Sequence, residues 1–267
     1  MAVIGCGNMA STIVGGLIDR GLVNPGDVVG ADVDTARRDD LVALRGIGAA
    51  EENAEAIKGA DIVLLAVKPQ NAEDVLDGIG SELKAEQLVI SILAGTKTRF
   101  IESRIPAKVP VVRVMPNTPA LIGRGASALA PGRFAGESHL QTAKQIFDSV
   151  GEAVVLKEEQ LDAVTGLSGS GPGYIFYMVE ALIQAGIDVG LSAKVAHTLV
   201  SQTLLGSAHL LIEDPQRRTP AALREAVTSP GGTTAAGLDV LRQENVADAV
   251  RMAIHAATNR SKELGKD

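Results

Sequence analysis

Gly5-Cys6-Gly7-Asn8-Met9-Ala10 has the spacing GxGxxA, directly after the apolar triplet Ala2-Val3-Ile4 and ahead of a helical pattern through Ile13, Val14, Leu17 and Ile18. Residues of these types at this spacing suit one chemistry. The first glycine permits a tight strand-to-helix turn, the second admits a diphosphate against the backbone, and the third small residue lets helix and strand pack closely. The phosphates then meet unpaired N–H groups at the helix N-terminus. Asp32 ends the next apolar run, 22 residues after Ala10, where an acid accepts from ribose hydroxyls. A ligand-free glycine turn would not require strand, turn, helix and acid to arrive together. Arg37 and Arg38 follow closely. They would suit a ribose 2′-phosphate, or simply begin a solvated helix face, so NAD and NADP both stay open.

Further candidates stand at the ends of later apolar runs, where ligands gather in open α/β sheets. Lys68, in Ala66-Val67-Lys68-Pro69, contacts a cofactor there or caps the strand into solvent. Ile92-Leu93-Ala94-Gly95 ends the following run with small residues beside which a flat ring can lie. Asn117, within Met115-Pro116-Asn117-Thr118-Pro119, orients the nicotinamide side of such a cleft or satisfies a turn. Ser168-Gly169-Ser170-Gly171-Pro172 resembles a phosphate loop but lacks its Lys-Ser/Thr, and Pro172 favours a hinge or packing role. Ser229-Pro230-Gly231-Gly232-Thr233-Thr234 can turn successive N–H groups inward as a carboxylate nest, or it is a helix start capped by Ser229 or Thr233.

The chemistry missing from the chain narrows the field. His139, His197, His209 and His255 are scattered without HxH or HExxH spacing, so no metal site is expected. No GxSxG elbow is present. Tyr174, Phe176 and Tyr177 lie within four residues and read as helical core or dimer packing in preference to a substrate wall.

These candidates need elements to hold them. The chain has 267 residues, 46% hydrophobic, with six aromatics and no Trp, so its core is aliphatic and its length suits two domains or one large one. The net charge of −7 and the lack of stacking side chains exclude a nucleic-acid footprint. The single cysteine excludes an intrachain disulfide, and no unbroken apolar run reaches the ~18 residues of a membrane span. A glycine motif starting at residue 5 leaves no room for a signal peptide, so a soluble cytoplasmic protein is expected. The first strand is unusually short, which leaves open whether the natural start lies upstream of Met1.

Runs at Val28–Ala31, Ile62–Val67, Leu88–Ile92 and Val111–Met115 are short, β-branched and continuously apolar, as in parallel strands covered on both faces. Beyond Leu161 the texture changes to Ala/Leu-rich helical periodicity over residues 172–187, 192–213 and 245–264. The fold expected is α/β followed by all-α: a dinucleotide-binding Rossmann domain over 1–156 and a helical domain over 157–267.

With MPNTP, SGSGP and TSPGGTT following the opening GCGNMA and the AVKPQ segment in that order, the chain resembles pyrroline-5-carboxylate reductase from Ala2 to about Leu264. The resemblance implies hydride reduction of the cyclic imine Δ1-pyrroline-5-carboxylate to L-proline, the last step of proline biosynthesis, with NADPH favoured slightly over NADH. It implies a helical domain that dimerises, in many members assembling further into decamers; the charge and the lack of a long apolar run already argue against nucleic-acid and membrane partners. By position, cofactor contacts fall on Ile4, Gly5, Cys6, Gly7, Asn8, Met9, Asn53, Ala66, Val67, Lys68, Pro69, Ile92, Leu93 and Ala94, joined by Asp32 and Asn117 from the reading above. Substrate contacts fall on Glu158, Thr233 and Thr234, beside the nest residues Ser229, Gly231 and Gly232. Thr234 would hydrogen-bond the ring nitrogen as its catalytic contact, and Glu158 would favour the iminium. Departures occur at Gly173, where the family often has Ala, at Arg218-Thr219-Pro220 in place of Glu-His-Pro, and at Ala226 in place of an Asn. Two rivals stay open: a β-hydroxyacid-type Rossmann dehydrogenase, for which Lys194 lacks the surrounding motif, and a redox-dead NAD(P)-binding regulator.

Overall fold

The computed structural model describes residues 1–265. Contacts divide the chain into two compact units, Met1–Ser170 joined by the stretch from His255 onward, and Gly171–Ile254.

The first unit begins β1 (Ala2–Ile4), α1 (Asn8–Asp19), β2 (Val29–Ala31), α2 (Thr35–Arg45), β3 (Gly48–Ala49), α3 (Asn53–Ala56), β4 (Ile62–Leu65) and α4 (Ala72–Ile79). It continues β5 (Leu88–Ser91), α5 (Thr98–Ser103), β6 (Val111–Met115), β7 (Gly125–Pro131), α6 (Glu137–Asp148), β8 (Gly151–Val155) and α7 (Leu161–Val164). The eight strands form one sheet of order β3-β2-β1-β4-β5-β6-β7-β8. The first six are parallel, β7 runs antiparallel to β6, and β8 is parallel to β7. The first six keep the 3-2-1-4-5-6 order of the doubly wound dinucleotide fold, whose strand order reverses between β1 and β4.

Strand alternation explains the unbroken apolar runs. Ala2 and Ile4 join Val63, Leu65, Val89 and Val111 under α4 and α5, whereas Val3 joins Leu64, Ile90 and Val112 under α1 and α6. These strands therefore carry apolar residues toward both faces, one set per face. Phe147 on α6 is the one aromatic in the buried core of the described residues.

The second unit holds α8 (Gly171–Asp188), α9 (Ala193–Glu213), α10 (Pro220–Ala226), α11 (Thr233–Gln243) and the first half of α12 (Val246–Leu264). The three long helices expected from periodicity are present; α10 and α11 are additional. Ser192 caps α9 by accepting from the Val195 N–H at 3.4 Å, and Pro172 lies in the first turn of α8. Helix α8 has no buried residue and α9 has only Ala196. By length and composition α9 is also apolar enough to cross a membrane, at mean hydropathy 1.2, which a search for unbroken apolar runs does not detect.

Candidate active site

The glycine loop is built by close approach. Gly5 has φ +94°, and a Cβ there would stand 2.8 Å from the Ala66 carbonyl, so only glycine joins β1 to α1 beneath the end of β4. The next amide is anchored from outside the loop: the Cys6 N–H donates to Asp32 Oδ2 at 2.7 Å, and the Asp34 N–H donates to Asp32 Oδ1 at 2.9 Å. Helix α1 starts from Gly7 with no side-chain cap and no acid in its first turn. Its N-terminal N–H groups thus face a cleft of about 940 Å³ with no cap or acid supplied by the helix itself. An uncapped helix start, a glycine wall and a fixed carboxylate fit the diphosphate and adenosine ribose of a dinucleotide.

Of the cofactor candidates, Gly5, Cys6, Gly7, Asn8 and Asp32 line this cleft with Asn53, Ala66, Val67 and Lys68. Ile4, Met9, Pro69, Ile92, Leu93, Ala94 and Asn117 are not part of its lining. Ile4 and Leu93 are buried in the core beneath, and Met9 and Ile92 pack against the opposite core. Several lining residues went unidentified in the sequence, among them Ser11, Asp34, Asp40, Asn71 and Asp74. Their signal is topological: each lies in the turn or helix that follows β1, β2 or β4, and none carries a local motif.

Cys6 is buried, and burial first, then the Asp32 carboxylate, push its thiol up to about 11, with Arg38 opposing. It is a small core residue under the loop and stays protonated near neutrality.

Asn117 is fully engaged inside the first unit. Its Oδ1 accepts from the Ala126 N–H at 2.8 Å and its Nδ2 donates to the Ser168 carbonyl at 3.0 Å. Ser168 belongs to a π-helical turn, Thr165–Gly169, between α7 and α8. The SGSGP segment is thus a helical junction and not a phosphate loop, as Pro172 suggested.

Glu158 accepts from the Thr98 N–H and the Thr98 hydroxyl, both at 2.7 Å, and from Arg113 NH1 at 3.4 Å. Arg113 on β6 is buried, so this carboxylate neutralises a guanidinium inside the sheet unit. Nearby Glu102 is raised by its own burial, and the charge of Glu158 adds to that rise.

The Thr228–Thr234 loop lies in the second unit. Gly231 has φ +69°, and the Gly232 N–H donates to the Ser229 carbonyl at 3.0 Å, closing a turn that leads into α11. The N-cap of α11 is Gly232, with no side-chain cap and no acid in the first turn. Neither Ser229 nor Thr233 caps this helix, because the glycine backbone already makes the entry. The exposed first-turn N–H groups beside Thr233 and Thr234 therefore favour an anion.

A doubly wound sheet with an uncapped glycine turn at its switch point, followed by a helical unit, defines a dinucleotide-binding protein of two units. A family model for pyrroline-5-carboxylate reductase dimerisation matches residues 158–264, and one for NADP oxidoreductase, coenzyme F420-dependent, matches residues 1–95. The pyrroline-5-carboxylate reductase of Methanosarcina acetivorans is 41% identical over 98% of this chain and 97% of its own. The chain belongs to the pyrroline-5-carboxylate reductase family. A solved pyrroline-5-carboxylate reductase from Coxiella burnetii superposes with TM-score 0.92 at 36% identity, over 100% of this chain and 98% of that one. The Plasmodium falciparum pyrroline carboxylate reductase, solved with NADP bound, gives TM-score 0.88 at 29% identity over 99% and 97%. The match to a dimerisation family agrees with the exposed apolar faces of α8 and α9.

Proposed function

We propose that this chain reduces the C=N bond of Δ1-pyrroline-5-carboxylate to L-proline with NADH or NADPH. The observation that carries the reading is likeness over nearly the whole length of named pyrroline-5-carboxylate reductases, joined to an uncapped dinucleotide turn and an intact PGGTT turn. When bound, the dinucleotide would supply a hydride to the carbon of the protonated imine, whose nitrogen keeps its proton in L-proline. The residues of the chain bind and orient. Gly5, Cys6, Gly7 and Asn8 cradle the diphosphate, Asp32 and Asn53 the adenosine half, and Ala66, Val67 and Lys68 the wall beyond β4. Ile4, Ile92, Leu93 and Ala94 shape the strand ends, Met9 the start of α1 and Pro69 the turn after β4. Asn117 acts by holding the π-turn.

For the substrate, Ser229, Gly231, Gly232 and Thr233 form the carboxylate nest, and the Thr234 hydroxyl hydrogen-bonds the ring nitrogen. Glu158 we place in support, because its oxygens already serve Thr98 and Arg113. Residues 1–156 serve the cofactor and 157–267 the substrate and the subunit interface. The working form is a cytoplasmic homodimer able to assemble into a decamer, with no nucleic-acid or membrane partner.

The test is dinucleotide oxidation with Δ1-pyrroline-5-carboxylate, on wild type and Thr234→Ala. Wild type should turn over. The variant should lose about tenfold or more in kcat/KM, the scale of one misplaced hydrogen bond. A wild-type protein that binds the dinucleotide yet leaves it unoxidised would favour the regulator reading. Oxidation with a β-hydroxyacid alone would favour the other dehydrogenase class.

A further inference from the structure

The cofactor cleft carries a charge pattern that family membership does not settle. Asp32 is held by two backbone N–H groups, from Cys6 at 2.7 Å and Asp34 at 2.9 Å, so its carboxylate is fixed in place. Three more carboxylates, Asp34, Asp40 and Asp74, line the same cleft against two cations, Arg37 and Lys68. Arg37 is committed to Asp34, its Nε 3.2 Å from Oδ2. Arg38 pairs with Asp39 at 3.1 Å and does not line the cleft. Neither arginine presents an unpaired guanidinium beside Asp32.

We propose that Asp32, together with the Asp34–Arg37 pair, makes this enzyme selective for NADH over NADPH. The inference rests on the dinucleotide reading of the cleft. Ribose 2′- and 3′-hydroxyls are donors, and a fixed carboxylate accepts from both. A 2′-phosphate is an acceptor carrying close to two negative charges at neutral pH. Placed at Asp32 it meets a like charge that cannot turn away, and Arg37, which lines the cleft, is paired with Asp34 at the solvent-exposed rim. Juxtaposed like charges are costly and discriminate strongly between ligands. Because the discrimination is electrostatic near a solvent-exposed surface, added salt weakens it.

The experiment measures dissociation constants for NADH and NADPH separately, from the emission of the nicotinamide, on the intact protein without imine. The chain has no Trp, which leaves that signal free of indole overlap. At low ionic strength NADH should bind about tenfold or more tighter than NADPH, and the ratio should shrink on going to 0.5 M salt. Asp32→Asn should weaken NADH and remove the penalty on NADPH, collapsing the ratio. That variant also disturbs the two backbone hydrogen bonds, so Asp34→Ser provides an independent arm. Ser keeps a side-chain oxygen to cap α2, where Asp34 accepts from the Ala36 and Arg37 N–H groups, and it releases Arg37. Its NADPH affinity should rise about threefold or more. NADPH binding as tightly as NADH in wild type overturns the inference and leaves the dinucleotide site standing. A preference unmoved in both variants overturns it as well. Binding of neither dinucleotide would remove the cleft reading itself.

Discussion

At the scale of single residues, Cys6 shows how one position serves the loop and the core together. Its N–H holds Asp32, while its side chain joins the cluster of Val3, Ile13, Val14 and Leu64. Burial and the neighbouring Asp32 charge raise the thiol from 9.0 to about 11. Below pH 9 folded and unfolded chains both keep the proton, so Cys6 adds no pH dependence. Between pH 9 and about 11 the unfolded chain ionises and the folded one does not. Unfolding then releases a proton, and stability falls as pH rises. Denaturant midpoints measured from pH 8 to 11 should therefore fall more steeply for wild type than for Cys6→Ala. Alkylation by iodoacetamide at pH 7.5, followed by intact mass, should be slow in the native protein. Rapid native-state alkylation would sink this account. The GxGxxA loop and Asp32 were legible because their geometry is local to one strand–turn–helix passage. Asp34 and Asp40 follow Asp32 without a motif of their own, and Asp74 on α4 reaches the same cleft only through the winding of the sheet.

At the scale of elements, the strands that could be read and those that could not differ in one respect. Ile62–Leu65 and Val111–Met115 advertise themselves by β-branched apolar residues buried on both faces. β7, with the sequence Gly-Ala-Ser-Ala-Leu-Ala-Pro, has no β-branched residue and weak strand propensity. It is a strand because β6 and β8 pair with it on either side, and long-range pairing leaves no local signature. Glu158 belongs to the same element-level construction. It links α5 through Thr98 to β6 through Arg113, just beyond β8. A resemblance carried by position assigns it to substrate, whereas its oxygens accept from Thr98 and Arg113. The two roles separate experimentally. Glu158→Ala leaves Arg113 buried without its counter-ion and should cost about 2 kcal/mol or more of stability, reading below the full buried-pair value because Glu158 is partly exposed. Thermal unfolding and steady-state kinetics on the same preparation decide it. A loss of kcat with the unfolding midpoint unchanged would return Glu158 to the substrate.

At the scale of the whole molecule, the helical periodicities were legible but not what they pack against. Phe176 is 63% exposed, Tyr177 71% and Leu199 53% on the two longest helices of the second unit. A groove between α8 and α9, lined by Ile175, Met178, Leu182 and Leu204 among others, has almost no polar atoms at its surface. Exposed apolar faces of this kind mark contact surfaces, and the stretch lies inside the region that matches the dimerisation family. The same surplus of exposed apolar side chains lets α9 pass for a membrane span by composition, so one feature has two readings that solution behaviour separates. If a second copy covers these faces, the protein should sediment as a dimer or larger at micromolar concentration, well above the 27.6 kDa of one chain. Replacing an exposed central aromatic with a charge, as in Phe176→Glu, should weaken self-association by about thirtyfold or more, the scale of a buried aromatic anchor. Light scattering behind size exclusion reads the shift, and circular dichroism confirms that the helices remain. A variant that stays as large as wild type would place the interface elsewhere on the second unit. A wild type that is monomeric without detergent and assembles only with lipid would favour the membrane reading of α9.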